Sequence, residues 1–156
     1  MNIIKVFSII SALLLSIALF SQDKMANNID NSNIALSGFS PVSYLDLGLA
    51  QIGSKNFKSQ YKGLYYFFTS EEQKATFDQS PERYLPQYGG YCAFGAYVGA
   101  KFRVDPNKFL IKDGKYYLYL ANVELDALQL WLAENDHKKL MSTADKNWQK
   151  LRVSYN

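Results

Sequence analysis

The sequence predicts an α+β domain: a small antiparallel sheet of two hairpins surrounded by four to five short helices. Three observations predict it. Leu64-Tyr65-Tyr66-Phe67-Phe68 is an unbroken apolar run of strand-forming residues, preceded by alternating aromatic and polar residues and a Lys62-Gly63 turn. Asp113-Gly114 stands between Phe109-Leu110-Ile111-Lys112 and Lys115-Tyr116-Tyr117-Leu118-Tyr119-Leu120, a strong hairpin signal because a type I′ turn needs two positive φ angles. Between and after these hairpins the apolar period changes to the helical one, with capping residues in place. The composition agrees: 48% hydrophobic, 20% charged and 15% aromatic residues describe a chain that can build a core.

The elements follow in order. Residues 1–21 read as a signal peptide, with Lys5 followed by an apolar run over residues 6–20 that is short for a bilayer span of about 20 residues. Cleavage after Ser21 is expected, which makes the mature chain periplasmic or secreted, with no membrane association thereafter. Residues 22–33 are rich in Asn, Asp and Ser and read as a polar linker. The domain proper is expected over 34–152, with a frayed tail over 153–156. Ile34-Ala35-Leu36 is a short first strand, and Pro41 opens one helical turn. Phe57-Lys58-Ser59-Gln60-Tyr61 is the first hairpin strand, and the apolar run after it is expected to be covered on both faces. Ser70 caps a helix, with Gln73 completing a capping box and Ala75 and Phe77 on its inner side. Ser80-Pro81 starts a second short turn that Pro86 ends. Gly89-Gly90 opens a helix over residues 91–98, where Cys92, Ala96 and Gly99 place small residues on one face. Asp105-Pro106 is read as a turn. Asn122 is expected to cap a helix carrying Leu125, Leu128, Trp131 and Leu132 inward. Asp136 is expected to cap another, carrying Leu140, Ala144, Trp148 and Leu151.

Residues 80–95 concentrate the unusual chemistry, with two of the four prolines, three of the nine glycines and the single cysteine. One cysteine cannot form an internal disulfide, so Cys92 is a buried inert thiol, an intermolecular partner or a ligand. Near a helix start its thiolate is favoured, which makes it the candidate metal or redox residue. Tyr88 and Tyr91 flank the glycine pair and are the candidate ligand-binding residues. His137, the only histidine, is expected on the surface at a helix start. Loss of Lys5 leaves 16 basic against 14 acidic side chains, a net charge of +2, too small and scattered for nucleic acid or an anionic membrane. No phosphate loop, zinc-protease helix or serine nucleophile elbow is present.

Tyr65-Tyr66-Phe67-Phe68-Thr69-Ser70, Phe77 and Ser80-Pro81-Glu82-Arg83-Tyr84 together resemble the YHS domain. Pro86-Gln87-Tyr88-Gly89-Gly90-Tyr91-Cys92-Ala93 resembles a longer exported subgroup of that family. So do Gly38-Phe39-Ser40-Pro41-Val42-Ser43-Tyr44, Asp113-Gly114-Lys115-Tyr116-Tyr117-Leu118 and Ala144-Asp145-Lys146-Asn147-Trp148. The resemblance runs over about residues 34–151. It implies a fold related to treble-clef zinc ribbons and a role in handling soft metals, as in modules attached to copper-transporting ATPases. The cysteine ligands of the short domain fall on Ser43, Thr69 and Gln73, none of which is a good ligand for copper or zinc. The leading expectation is an exported, non-catalytic binding module, with copper, zinc or another transition metal as candidate ligand and Cys92 as candidate donor. The alternatives are a metal-free interaction protein with the same fold and, behind it, an enzyme using Cys92 as nucleophile.

Overall fold

The computed structural model describes residues 27–29 and 32–153. The expected signal peptide, most of the linker and the last three residues lie outside them. Four strands and four α-helices are joined by single turns of 3-10 and π geometry: β1 (Ser54–Tyr61), β2 (Leu64–Phe68), α1 (Glu71–Gln79), α2 (Ala93–Val98), β3 (Asp105–Lys112), β4 (Lys115–Tyr119), α3 (Ala127–Ala133) and α4 (His137–Leu151). The fold is α+β, as the patterning predicts. The two hairpins, however, do not share one sheet: β1–β2 and β3–β4 are separate antiparallel ladders.

Both hairpin turns have the backbone that their residues prescribe. Asp113 and Gly114 have φ of 53° and 69°, and Lys62 and Gly63 have 48° and 78°, the left-handed pairs of type I′ turns. Each hairpin carries an irregularity away from its turn. One falls between Ser54 and Lys58 and lengthens β1 beyond its alternating part. The other falls between Asp105 and Phe109, so Asp105-Pro106 belongs to β3 rather than to a turn before it. The Asp105 carboxylate accepts the Asn107 N–H at 2.9 Å, a local bond that competes with the ladder.

β4 divides the hydrophobic interior. Side chains alternate across a strand, so Tyr116 and Leu118 enter one cluster with Leu36, Tyr44, Leu64, Tyr66, Phe68, Phe77 and Tyr84. Tyr117 and Tyr119 enter a second with Tyr88, Cys92, Ala93, Ala96, Trp131, Leu140 and Ala144. Covering on both faces was expected of the apolar run in β2; Leu64, Tyr66 and Phe68 are buried on one face and Phe67 on the other, where Tyr65 is half-buried, and β4 places a core cluster on each of its faces. Tyr44 stacks on Tyr116 at 5.0 Å, and its hydroxyl donates to the Pro106 carbonyl at 2.7 Å.

The helix starts follow the caps with some shifts. Ser70 Oγ accepts the Gln73 N–H at 3.3 Å, the cap half of the expected capping box, but the Gln73 side chain accepts the N–H of Thr69, one residue before the cap. Asp136 accepts the Lys139 N–H at 2.9 Å and starts α4. Asn122 does not cap α3. It accepts the Glu124 and Leu125 N–H groups in a turn, and Asp126 is the cap, bonded to the Leu128 and Gln129 N–H groups. Starting α3 at Ala127 turns Ala127 and Trp131 inward, four residues apart, and leaves Leu125 and Leu132 exposed. In the same way α2 starts at Ala93 with Cys92 as its cap, two residues later than expected, because residues 87–90 form a left-handed turn of their own. Ala93 and Ala96 of α2 meet Ala144 of α4 in the second cluster, and small side chains allow that close approach. Gly99 takes no part in it; it ends α2 in the left-handed conformation.

Candidate functional site

Residues 86–92 bring the sequence-predicted site residues into one region. Pro86 is extended, and Tyr88, Gly89 and Gly90 follow with φ of 52°, 56° and 80°. A non-glycine residue in this region costs about 1–2 kcal/mol, so Tyr88 must be held by its surroundings. Its ring packs against Tyr117 at 6.0 Å and Trp148 at 5.9 Å, and its hydroxyl donates to Asp145 Oδ1 at 3.0 Å. Burial, then the Asp145 carboxylate, raises the Tyr88 pKa. Tyr91 also packs against Trp148, at 6.1 Å, and its hydroxyl donates to the Asn27 carbonyl at 3.3 Å. Asn28, assigned by composition to the linker, is bonded here. Its N–H donates to the Gly89 carbonyl and its side-chain amide to the Gly90 carbonyl.

Cys92 is 1% exposed. Its sulfur accepts the Gly95 N–H at 3.4 Å and the Leu120 N–H at 3.3 Å. The thiol thus stitches the start of α2 to the end of β4. The hydroxyls of Tyr88 and Tyr91 are engaged with Asp145 and Asn27, so the three expected donors do not form one ligand set. Among the described residues no group of three His, Cys, Asp or Glu side chains is arranged to hold a metal ion. His137 begins α4 and, with Lys112, Asp113, Met141 and Asp145, lines a shallow surface pocket apart from the thiol.

The positions to which the resemblance assigns metal ligands converge on Gln73, Ser43 through its side chain and Thr69 through its backbone N–H. Gln73 Oε1 accepts the Ser40 hydroxyl at 2.7 Å and the Thr69 N–H at 3.3 Å. Gln73 Nε2 donates to Ser43 Oγ at 3.0 Å, and Ser43 in turn donates to Gln51 Oε1 at 2.8 Å. Ser40 and Ser43 are both fully buried. This knot ties the 40–43 turn, the 51–53 crossing and the start of α1 together. Sequence reading identifies Gln73 as a capping-box residue and as a position aligned with a family cysteine, not as the centre of a buried polar knot. The signal that distinguishes it is the pair of serines flanking Pro41, whose burial no local pattern discloses.

A cleft of about 180 Å³ opens beside the Tyr88–Tyr91 turn. Leu85, Pro86, Gly89 and Trp148 line it together with Lys62 and Arg152. Lys62 is paired with Glu82 at 3.0 Å. Sequence reading named Tyr88 and Tyr91 as candidate ligand-binding residues; both rings pack against Trp148, which lines the cleft.

No family model matches this chain, and no curated protein or solved structure matches it either.

Proposed function

We propose that this protein is an exported, non-catalytic binding module of the YHS type that works without a transition metal. The observation that carries the reading is the Gln73 knot. Of the three positions where the resemblance puts thiolates, Ser43 and Gln73 are bonded to each other through their side chains, and Thr69 joins them by its backbone N–H. A metal would have to displace at least four hydrogen bonds to reach ligands that bind it poorly. The knot performs the structural part of a metal's work, joining three chain segments. Cys92 serves the core as a small side chain that accepts two N–H groups, and its enclosure also removes it as a nucleophile, since a nucleophile needs a base within reach and access for substrate. Among the described residues no helix is long and apolar enough to cross a membrane.

The test is elemental analysis of the mature chain purified from the export compartment without chelator, beside thermal unfolding with added copper, zinc or chelator. The expected result is metal far below one per chain and a Tm that none of the additions raises. About one copper or zinc per chain, lost in Cys92→Ser, would overturn the reading.

A further inference from the structure

We infer that the free edge of β1 is a docking site for an extended acidic segment of a partner protein, added as a further strand. The inference rests on the reading of the protein as a non-catalytic binding module and names the kind of partner. β1 and β2 form a two-stranded ladder. β2 is also bonded on its far side, where the Tyr65 N–H donates to the Asn33 carbonyl and the Tyr65 carbonyl accepts the Ala35 N–H, both at 2.9 Å. Gln60 lies opposite Tyr65, and opposite residues of an antiparallel pair exchange both backbone bonds or neither. Tyr65 commits both groups to the 33–35 segment, so Gln60 turns its N–H and carbonyl away from β2. The register is regular from Lys58 to Tyr61, so Lys58, two residues earlier, presents its backbone groups on the same outer side. Both residues are exposed, and among the described residues no backbone bond meets them there.

The charge of this edge selects the partner. β1 carries Lys55 and Lys58 and no acidic residue. Residues three apart point to opposite faces of a regular strand. The register irregularity between Ser54 and Lys58 removes that opposition, and both lysines line one cleft of about 140 Å³ with Ile34, Tyr65 and Phe67. No carboxylate lines this cleft among the described residues, and neither lysine is ion-paired with a described residue. The Lys58 ammonium stands over the Tyr65 ring at 5.6 Å, on the same face. Lysines on an edge strand repel a second copy of that strand, because β1 beside β1 sets lysine against lysine. A strand with a carboxylate opposite Lys58 meets no such repulsion and gains a cross-strand pair. The edge of β3 is less suited to the same use. Pro106 has no N–H and its carbonyl accepts the Tyr44 hydroxyl, while Lys108 is paired with Asp126 at 2.6 Å.

The probe is a capped peptide, Thr-Glu-Val-Glu-Val-Glu-Val-Thr, matched to the 8 residues of β1 and titrated into the labelled mature protein while backbone amide signals are followed by NMR. The Lys58 and Gln60 amide signals are expected to shift saturably and to exchange more slowly with solvent. The same peptide with lysine in place of each glutamate is expected to bind at least about tenfold more weakly. Opposite residues share a face, so a glutamate facing Lys58 also turns its own N–H toward β1. N-methylation of the glutamates is therefore expected to abolish binding, and N-methylation of the valines to leave it intact. Lys55→Glu with Lys58→Glu is expected to reverse the preference between the two peptides, a result that itself shows the variant folded. Lys58 and Gln60 signals that the glutamate peptide leaves unmoved overturn the site. Equal binding of the two peptides overturns the acidic class, and binding that survives methylated glutamates overturns strand addition. Protection of the same amides that grows with protein concentration alone would assign the edge to a second copy and overturn the partner. Metal in the purified protein would overturn the function proposed above and would leave this titration unaffected, so the two failures are distinguishable.

Discussion

Gln73 shows how one side chain can hold a fold together. Its amide oxygen and nitrogen meet Ser40, Ser43 and Thr69, and two of these partners are closed to water. Deleting it leaves the Ser40 hydroxyl and the Thr69 N–H without their acceptor, and an unsatisfied buried polar group costs about 1–3 kcal/mol. Gln73→Ala is therefore expected to lower stability by about 2–4 kcal/mol in urea unfolding, since more than one group is stranded. Gln79→Ala, exposed at the end of the same helix, is expected to stay within about 0.5 kcal/mol. Equal, small effects of both would show that the knot contributes nothing beyond helix propensity. The contrast with Cys92 is instructive. Both residues were singled out by the resemblance or by composition, and both are internal connectors in the structure.

At the scale of elements, two glycines separate strain from collision. Gly114 has φ of 69° in the β3–β4 turn with open space where a Cβ would be. Gly114→Ala is expected to cost about 1–2 kcal/mol from backbone conformation alone. Gly53 carries no positive φ, but a Cβ there would lie 2.5 Å from the Phe67 carbonyl carbon and 2.7 Å from the Phe68 N, both backbone atoms that cannot swing aside. Gly53→Ala is expected to cost more than Gly114→Ala and to disturb the β1–β2 ladder, readable as lost amide protection in β2. An opposite ranking would mean that β1 and β2 separate easily at that point. The Gly114 requirement is legible in the sequence, since Asp-Gly between apolar runs names its own turn. The Gly53 requirement is not, because it arises where the 51–53 segment crosses a strand later in the chain.

The whole molecule is an aromatic interior with buried phenols, which ties its stability to alkaline pH. Burial raises the pKa of Tyr44, Tyr66, Tyr88, Tyr116 and Tyr119 above the ordinary value of 10.0. Below pH 10 these groups are neutral in both states and their burial is fully compatible with folding. Above pH 10 the unfolded chain loses phenolic protons that the folded chain keeps, so stability falls as pH rises. Each such tyrosine contributes a slope of about 1.4 kcal/mol per pH unit until its folded pKa is reached. Tyrosinate absorbance of the buried set is expected to appear together with unfolding, in one cooperative step above pH 10. A gradual titration near pH 10 in protein that keeps its native circular dichroism would contradict this placement of the phenols.

Local chemistry determined the hairpin turns, the caps at Ser70 and Asp136, the Pro81 turn and the α+β class, because each depends on residues within a few positions of one another. The start of α3 escaped local reading because Asn122 and Asp126 are both competent caps, and the choice fell to the one that buries Trp131. Tertiary packing alone decided which strand is covered on both faces, that the two hairpins form separate ladders, and that Cys92 is sealed behind Gly95 and Leu120. The candidate site divides in the same way. Tyr88, Tyr91 and the glycine pair stand out in the sequence through their positions around a turn. Trp148, Tyr66 and Arg152 line one cleft only once α4 packs back against α2, because contacts between residues so distant in the chain are set by the shape of the whole core rather than by any spacing along it.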